Sequence, residues 1–279
     1  MVKFRFREQD LREKWLGKEK QSVNGTQFLY INEEQEKKFY EQMFPHQGDK
    51  DKFLSYRNEW YKRAKLLEHG DAPLAVTIEL VSTCNLACTM CYTITDKFQN
   101  TVVGAQRKMP WQIVKKIIDE ASEIGVSSLM FSWRGESTLY RDKDEDGNII
   151  DFADVLKYAR SKNILEITSL THGQLINEKM AKKIVEAEPS WISFSIDGLD
   201  KTYNDIRTPP DKINKNYDAF KRVIQSIGYI LKFRKELGKT RPQIRTNTIF
   251  PAIQDDPEKY RLFMEKNGVD MITVNEIKD

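Results

Sequence analysis

Cys84, Cys88 and Cys91 stand within eight residues of one another as C-x-x-x-C-x-x-C, in the segment VSTCNLACTMCY, and they are the chain's only cysteines. A disulfide framework would spread an even number of cysteines along a secreted chain, so three clustered thiols point to metal binding or electron exchange. A cubane 4Fe-4S cluster takes four ligands, and three thiolates from one short loop leave one iron open to a bound molecule. Other readings of the same residues stay open. A zinc staple would make the chain a non-catalytic interaction module, but it needs a fourth ligand, and His46, His69 and His172 show no finger spacing to the cysteines. Cys88 and Cys91 alone form the C-x-x-C of thiol redox proteins, and buried structural cysteines are the plainest possibility.

The elements that must position this loop are legible as alternating runs. Six short, mostly apolar segments at 76–82, 127–133, 164–170, 191–197, 243–249 and 270–275 predict strands buried on both faces, with longer amphipathic segments between them. That is the pattern of βα units around a parallel sheet, so the expected class is α/β, with a partial (β/α)6 barrel of TIM type. The cysteines follow the first strand, at the strand end where α/β barrels place their active sites. One helix is expected from Pro110, with Trp111, Val114, Ile117, Ile118 and Ala121 on one face. A second is expected over 216–237, with Phe220, Val223, Ile224, Ile227 and Leu231 inward and Gly238 as its stop.

Residues 1–75 differ from this pattern. They are charge-rich and carry Phe4, Phe6, Trp15, Phe28, Tyr30, Phe39, Tyr40 and Trp60, with helical stretches near 33–44 and 51–68. The expected organisation is a small, mostly helical N-terminal extension over 1–75, a linker at HGDAP (69–73), and a barrel core over 76–279. The default role of the extension is scaffolding, with peptide recognition or closure of the open barrel side as alternatives. The stretch DKDEDGN sets Asp142, Asp144, Asp146 and Gly147 at calcium-loop offsets, but Ala153 stands where a bidentate Glu is needed, so it reads as an acidic surface turn.

The loop CNLACTMC resembles the signature of the radical S-adenosylmethionine (SAM) superfamily, and the resemblance extends over residues 76–275. It implies a 4Fe-4S cluster on Cys84, Cys88 and Cys91, whose open iron is chelated by the amino and carboxylate groups of SAM. It also implies reductive cleavage of SAM to a 5'-deoxyadenosyl radical that abstracts hydrogen from a substrate. Arg134-Gly135-Glu136-Ser137 looks like the family's GGEP element, which implies Glu136 at the SAM ammonium and a close backbone approach at Gly135. Arg134 and Ser137 depart from that pattern. Ser169–Gly173 resembles the family's TNG turn, and His172 within it is read as a satisfied surface residue, with a place in the pocket as the alternative. Ser195-Ile196-Asp197-Gly198 with Arg207 is similar to the S-x-D-G segment and its following arginine, which implies ribose contact at Ser195 and a guanidinium fork for the SAM carboxylate at Arg207. Asp197 is equally suited to bracing the turn. Asn247, at the mouth by strand alternation, and Met90, beside the adenine, complete the implied cofactor contacts. The matches most resemble the branch that often carries a C-terminal, SPASM-like auxiliary-cluster domain. With no further cysteines this chain is expected to hold no auxiliary cluster, as a piece of a longer enzyme or as a core-only relative.

Charge narrows the partners little. Lys and Arg total 45 against 42 for Asp and Glu, a net charge of +3 that supplies no broad field for nucleic acid or acidic lipid. No apolar run reaches membrane-span length and the start lacks a secretory signal, so a cytoplasmic location is expected. The expected partners are a substrate peptide, protein or small molecule, and an electron donor such as flavodoxin or ferredoxin.

Overall fold

The computed structural model describes residues 27–29, 33–101, 108–209 and 217–275. Phe4, Phe6, Trp15 and Tyr30 lie outside the described residues, as do the first residue of the helix expected at 216–237 and the last four of the chain. In chain order the extension supplies β1 (Gln27–Leu29), α1 (Glu33–Met43) and α2 (Gln47–Leu66). There follow β2 (Ala75–Thr77), the short α3 (Asp96–Gln99), α4 (Trp111–Glu123) and β3 (Ser128–Met130). A hairpin of β4 (Arg141–Lys143) and β5 (Ile149–Asp151) leads into α5 (Phe152–Ser161), β6 (Glu166–Thr171) and α6 (Glu178–Ala187). The chain then forms β7 (Trp191–Ser195), α7 (Asp200–Ile206), α8 (Ala219–Glu236), β8 (Gln243–Ile249), α9 (Pro257–Lys266) and β9 (Met271–Asn275).

The main sheet runs β1-β9-β8-β7-β6-β3-β2, with β2, β3, β6, β7, β8 and β9 parallel and β1 antiparallel on β9. The order is linear, so the barrel stays open between β2 and β1. All six expected strands are present, and the α/β partial barrel with it. β2 and β3 are shorter than expected because the chain leaves the ladder early to build loops. Only Ile78 N–H, donating to Met130 O at 2.8 Å, prolongs β2 toward the cysteines.

One strand face packs beneath the helices. Leu129, Ile167, Ile192, Phe194, Ile244, Ile272 and Val274 are buried with Val114 and Ile118 of α4 and Val223, Ile227 and Ile230 of α8. The capping follows local chemistry: Asp151 and Asp154 form a reciprocal capping box at α5, and Asn177, Asp218 and Asp256 each accept a backbone N–H at the starts of α6, α8 and α9. The acidic stretch is the β4–β5 turn, where Asp144 Oδ1 accepts the N–H groups of Asp146 and Asn148.

The opposite strand face lines the lumen, and it is polar. Registers place Ser128, Glu166, Thr168, Ser193, Arg245 and Thr273 on this face. Ser128 Oγ donates to Glu166 at 2.7 Å, while Arg245 lies over the Trp191 ring and donates to Thr273 Oγ1 at 2.5 Å.

The extension covers the floor of this lumen. Phe39, Met43, Phe44, Phe53 and Tyr56 bury together with Met271, and Leu74, Leu165 and Trp191 pack against them, all at or next to the N-terminal ends of barrel strands. It is therefore tied into the barrel at the end opposite the cysteines, and its strand β1, which the sequence reading did not anticipate, extends the same sheet. The HGDAP segment is held as well: Arg63 Nη1 donates to the carbonyls of His69 and Ala72 at 3.0 and 2.7 Å. Among the described residues no helix is long and apolar enough to cross a membrane.

Candidate cluster and cofactor site

The cysteine loop starts where β2 leaves the sheet, and the segments after β3 and β6 and the end of α7 hold it. The turn closes on itself, Cys91 N–H donating to Cys88 O at 2.9 Å. On one flank, Ala87 N–H donates to Thr208 O at 2.7 Å and Thr89 N–H to Ile206 O at 3.0 Å, so the backbone at the end of α7 grips the loop. On the other, Glu136 N–H donates to Thr83 O at 2.8 Å. From β6, His172 bonds to Asn85, between the first two cysteines, through Nε2 at 2.8 Å.

The Arg134–Ser137 segment explains its own departures from the GGEP pattern. Arg134 grips Glu79 with Nε at 2.6 Å and Nη2 at 3.0 Å, and lies over the Phe98 ring, tying the strand ends to α3. Gly135 has φ of +64°, and a Cβ there would lie 2.5 Å from the carbonyl oxygens of Thr83 and Val81. The close approach that this glycine permits is to the base of the cysteine loop. Gly135→Ala should cost at least about 2 kcal/mol from the left-handed backbone and the collision together, and should lower iron uptake. Urea unfolding and iron analysis of the same preparation check this.

Glu136 is 2% exposed, and its carboxylate accepts four hydrogen bonds. Oε1 accepts Thr138 N–H at 3.1 Å, Thr138 Oγ1 at 2.6 Å and Thr171 Oγ1 at 2.6 Å, while Oε2 accepts His172 N–H at 2.9 Å. Burial works to raise its pKa, but the adjacent His172 and the hydrogen bonds from Thr138, Thr171 and the His172 N–H hold it below the usual carboxylate range. His172 is 4% exposed, so the surface position expected for it is corrected: the β6 end folds it inward beneath Asn85. Its Nδ1 accepts Gln174 N–H at 3.0 Å, leaving the proton on Nε2, and burial lowers its pKa toward the neutral ring.

Arg207 is also placed behind the loop. Nε donates to Asp197 Oδ2 at 2.8 Å, Nη2 lies 2.7 Å from the same oxygen, and Nη1 points to Cys88 Sγ at 3.8 Å. Asp197 Oδ1 accepts Ile249 N–H at 3.1 Å, so this carboxylate braces both the turn and the arginine. Ser195 and Asn247 stand side by side in register at the ends of β7 and β8, and Asn275 Nδ2 on β9 donates to Asn247 Oδ1 at 2.7 Å. Met90 is 43% exposed at the loop tip. Asn85, Asn275, Glu79 and Thr171 were missed in the sequence. Asn275 lies on the same strand face as Asn247, two register positions further toward the mouth, and was open to the same alternation argument; Thr171 stood in the TNG-like turn without an assigned role, and Glu79 has no local signal.

The thiols suit an iron-sulfur cluster. Burial pushes Cys84 up to about 12 and raises Cys88 against the pull of Arg207, so both stay protonated at neutral pH unless a cation drives the proton off. Leu86 N–H, at 3.4 Å from Cys84 Sγ, and Arg207 are donors of the kind that stabilise cluster-bound sulfur. Among the described residues no three His, Cys, Asp or Glu side chains converge on one ion position.

The fold is an open parallel α/β barrel with a three-cysteine loop at the mouth of its first strand. The family model described as Radical SAM superfamily matches residues 78–231, more than half of the 279-residue chain. The chain belongs to the radical SAM superfamily, whose enzymes use a 4Fe-4S cluster and SAM. It is 29% identical over 137 residues to Fe-coproporphyrin III synthase of Methanosarcina barkeri, covering 49% of this chain and 30% of that protein. It is 23% identical over 203 residues to the tungsten-containing aldehyde ferredoxin oxidoreductase cofactor-modifying protein of Pyrococcus furiosus, covering 72% of this chain and 50% of that one. The chain thus spans half or less of the length of these relatives. The solved structure of native anSMEcpe with bound AdoMet shares the fold at a TM-score of 0.56 and 18% identity, covering 74% of this chain and 52% of that one.

Proposed function

We propose that this chain is the catalytic core of a radical SAM enzyme that takes hydrogen from a peptide, protein or small-molecule substrate. The observation that carries the reading is the three-cysteine loop at the barrel mouth, anchored by hydrogen bonds from the segments after β3 and β6 and from the end of α7. When bound, the reduced 4Fe-4S cluster supplies the electron that cleaves SAM to the 5'-deoxyadenosyl radical.

The protein's part is to hold, orient and exclude water. Cys84, Cys88 and Cys91 hold the cluster. Ser195, Asn247 and its partner Asn275 offer a hydroxyl and amides at adjacent strand ends, suited to ribose and methionyl groups. Met90 supplies an apolar surface for the adenine. Gly135, Glu136 and Arg207 act from behind: their space and polar atoms are taken up by Val81, Thr83, Thr138, Thr171, His172 and Asp197, so they fix the height and tilt of the loop. The polar lumen, closed at its floor by the helices of the extension, favours a substrate with hydrogen-bonding groups. One of the named relatives is a cofactor-modifying protein, which supports a substrate of this kind. Flavodoxin or ferredoxin in the cytoplasm would supply the electron.

Anaerobic reconstitution tests the reading. The protein should turn brown, bind iron and sulfide, and release 5'-deoxyadenosine from SAM on addition of dithionite. A colourless protein that purifies with stoichiometric zinc and leaves SAM intact would instead establish the metal-stapled module.

A further inference from the structure

Arg207 is held against the cysteine loop by its backbone neighbours and by Asp197. It sits between the two carbonyls, of Ile206 and Thr208, that bind the Thr89 and Ala87 N–H groups, and its own N–H donates to Tyr203 O at 2.8 Å. Its backbone is therefore pinned to the cysteine loop on both sides, and its side chain has one direction in which to extend. Asp197 takes Nε and Nη2, and is itself held by Ile249 N–H. What remains of the fork is Nη1, 3.8 Å from the sulfur of Cys88. The arginine side chain is 15% exposed and that of Asp197 is 2% exposed, so water screens little of this charge.

We propose that Arg207, aimed by Asp197, is a positioning residue that sets the reduction potential of the cluster through Cys88 Sγ. The proposal rests on the cluster reading above. Reduction by an external one-electron reductant adds one negative charge to the cluster and no proton. That charge is shared with the thiolate sulfurs, and a cation donating N–H to one of them stabilises the reduced form more than the oxidised form. Asp197 is essential to the arrangement, because by engaging Nε and Nη2 it fixes the plane of the guanidinium with Nη1 toward the sulfur.

The test is the midpoint potential of the reconstituted cluster, followed by electron paramagnetic resonance in the absence of SAM, for wild type, Arg207→Lys and Arg207→Gln. Arg207→Gln should make the cluster harder to reduce, lowering the ratio of reduced to oxidised cluster at the wild-type midpoint about tenfold, which is about 59 mV for one electron. Arg207→Lys, which keeps the charge but not the planar fork, should fall between. Arg207→Gln strands the buried Asp197 carboxylate, so a variant that fails to load iron is replaced by Asp197→Asn/Arg207→Gln, which removes both charges and should again be harder to reduce than wild type. A loaded variant with the wild-type potential overturns the proposal, and if that same variant binds SAM more weakly, Arg207 is a cofactor contact instead. Wild-type protein that takes up no iron and sulfide overturns the cluster reading together with this one.

Discussion

Cys88→Ala is expected to abolish cluster loading and SAM cleavage while leaving the fold in place. Cys88 is 7% exposed, the loop turns on its carbonyl, and Arg207 Nη1 points at its sulfur. Removing the thiol takes one of three ligands from a site for which the chain has no spare cysteine. Loss of an outer partner of a metal ligand costs 10–100-fold in affinity or activity, so loss of the ligand itself should lower 5'-deoxyadenosine formation by more than about 100-fold. The backbone bonds of Ala87, Thr89 and Cys91 do not involve the sulfur, so circular dichroism and thermal unfolding of the metal-free protein should shift little. Iron content and product yield on dithionite addition are the measurements. A Cys88→Ala protein that still forms 5'-deoxyadenosine at the wild-type rate would sink the assignment of the site.

The largest stability effect is expected at Glu136. Glu136→Ala leaves the Thr138 and Thr171 hydroxyls and the backbone N–H groups of Thr138 and His172 without their acceptor in a buried place. At about 1–3 kcal/mol for each unsatisfied donor, offset by local relaxation, the metal-free protein should lose roughly 3–5 kcal/mol by urea unfolding at pH 7. Glu136→Gln keeps one acceptor oxygen but turns an NH2 toward groups that donate, so it should recover only part of the loss. The pH dependence has a definite sign. The folded carboxyl lies below its unfolded value of about 4.3, so its stabilisation is complete above that pH and is lost as pH falls through the lower folded pKa. The gap between wild type and Glu136→Ala should thus persist at pH 5 and narrow only below pH of about 4. A gap that closes already between pH 7 and 5 would mean that the carboxyl is not held in its charged form.

Much of the frame was readable along the chain. β8 matches its expected span, and α4 and α8 bury most of the faces that their apolar spacing marked, because strand and helix periods are local and each burial pattern repeats within a few residues. The cysteine loop was readable for the same reason: its three ligands lie within eight residues and need no fold to bring them together.

Reading failed where a residue's partner lies far along the chain. His172 looked like a surface turn residue, but it is buried because Asn85 and Glu136 close over it from two other loops. The aromatics of the extension announced burial without saying against what, and their partners include Trp191 and Met271 at the barrel floor.

Spacing alone therefore establishes the strands, the helices and a thiolate loop fit for a cluster, since these depend on contacts a few residues apart. Which polar groups at the barrel mouth remain free for a ligand and which are consumed as supports follows from strand register and topology. Those bring Thr171 to Glu136 and Cys88 to Arg207 across 35 and 119 residues, and once a buried carboxylate or guanidinium has found such partners, the cost of leaving it unpaired keeps it there.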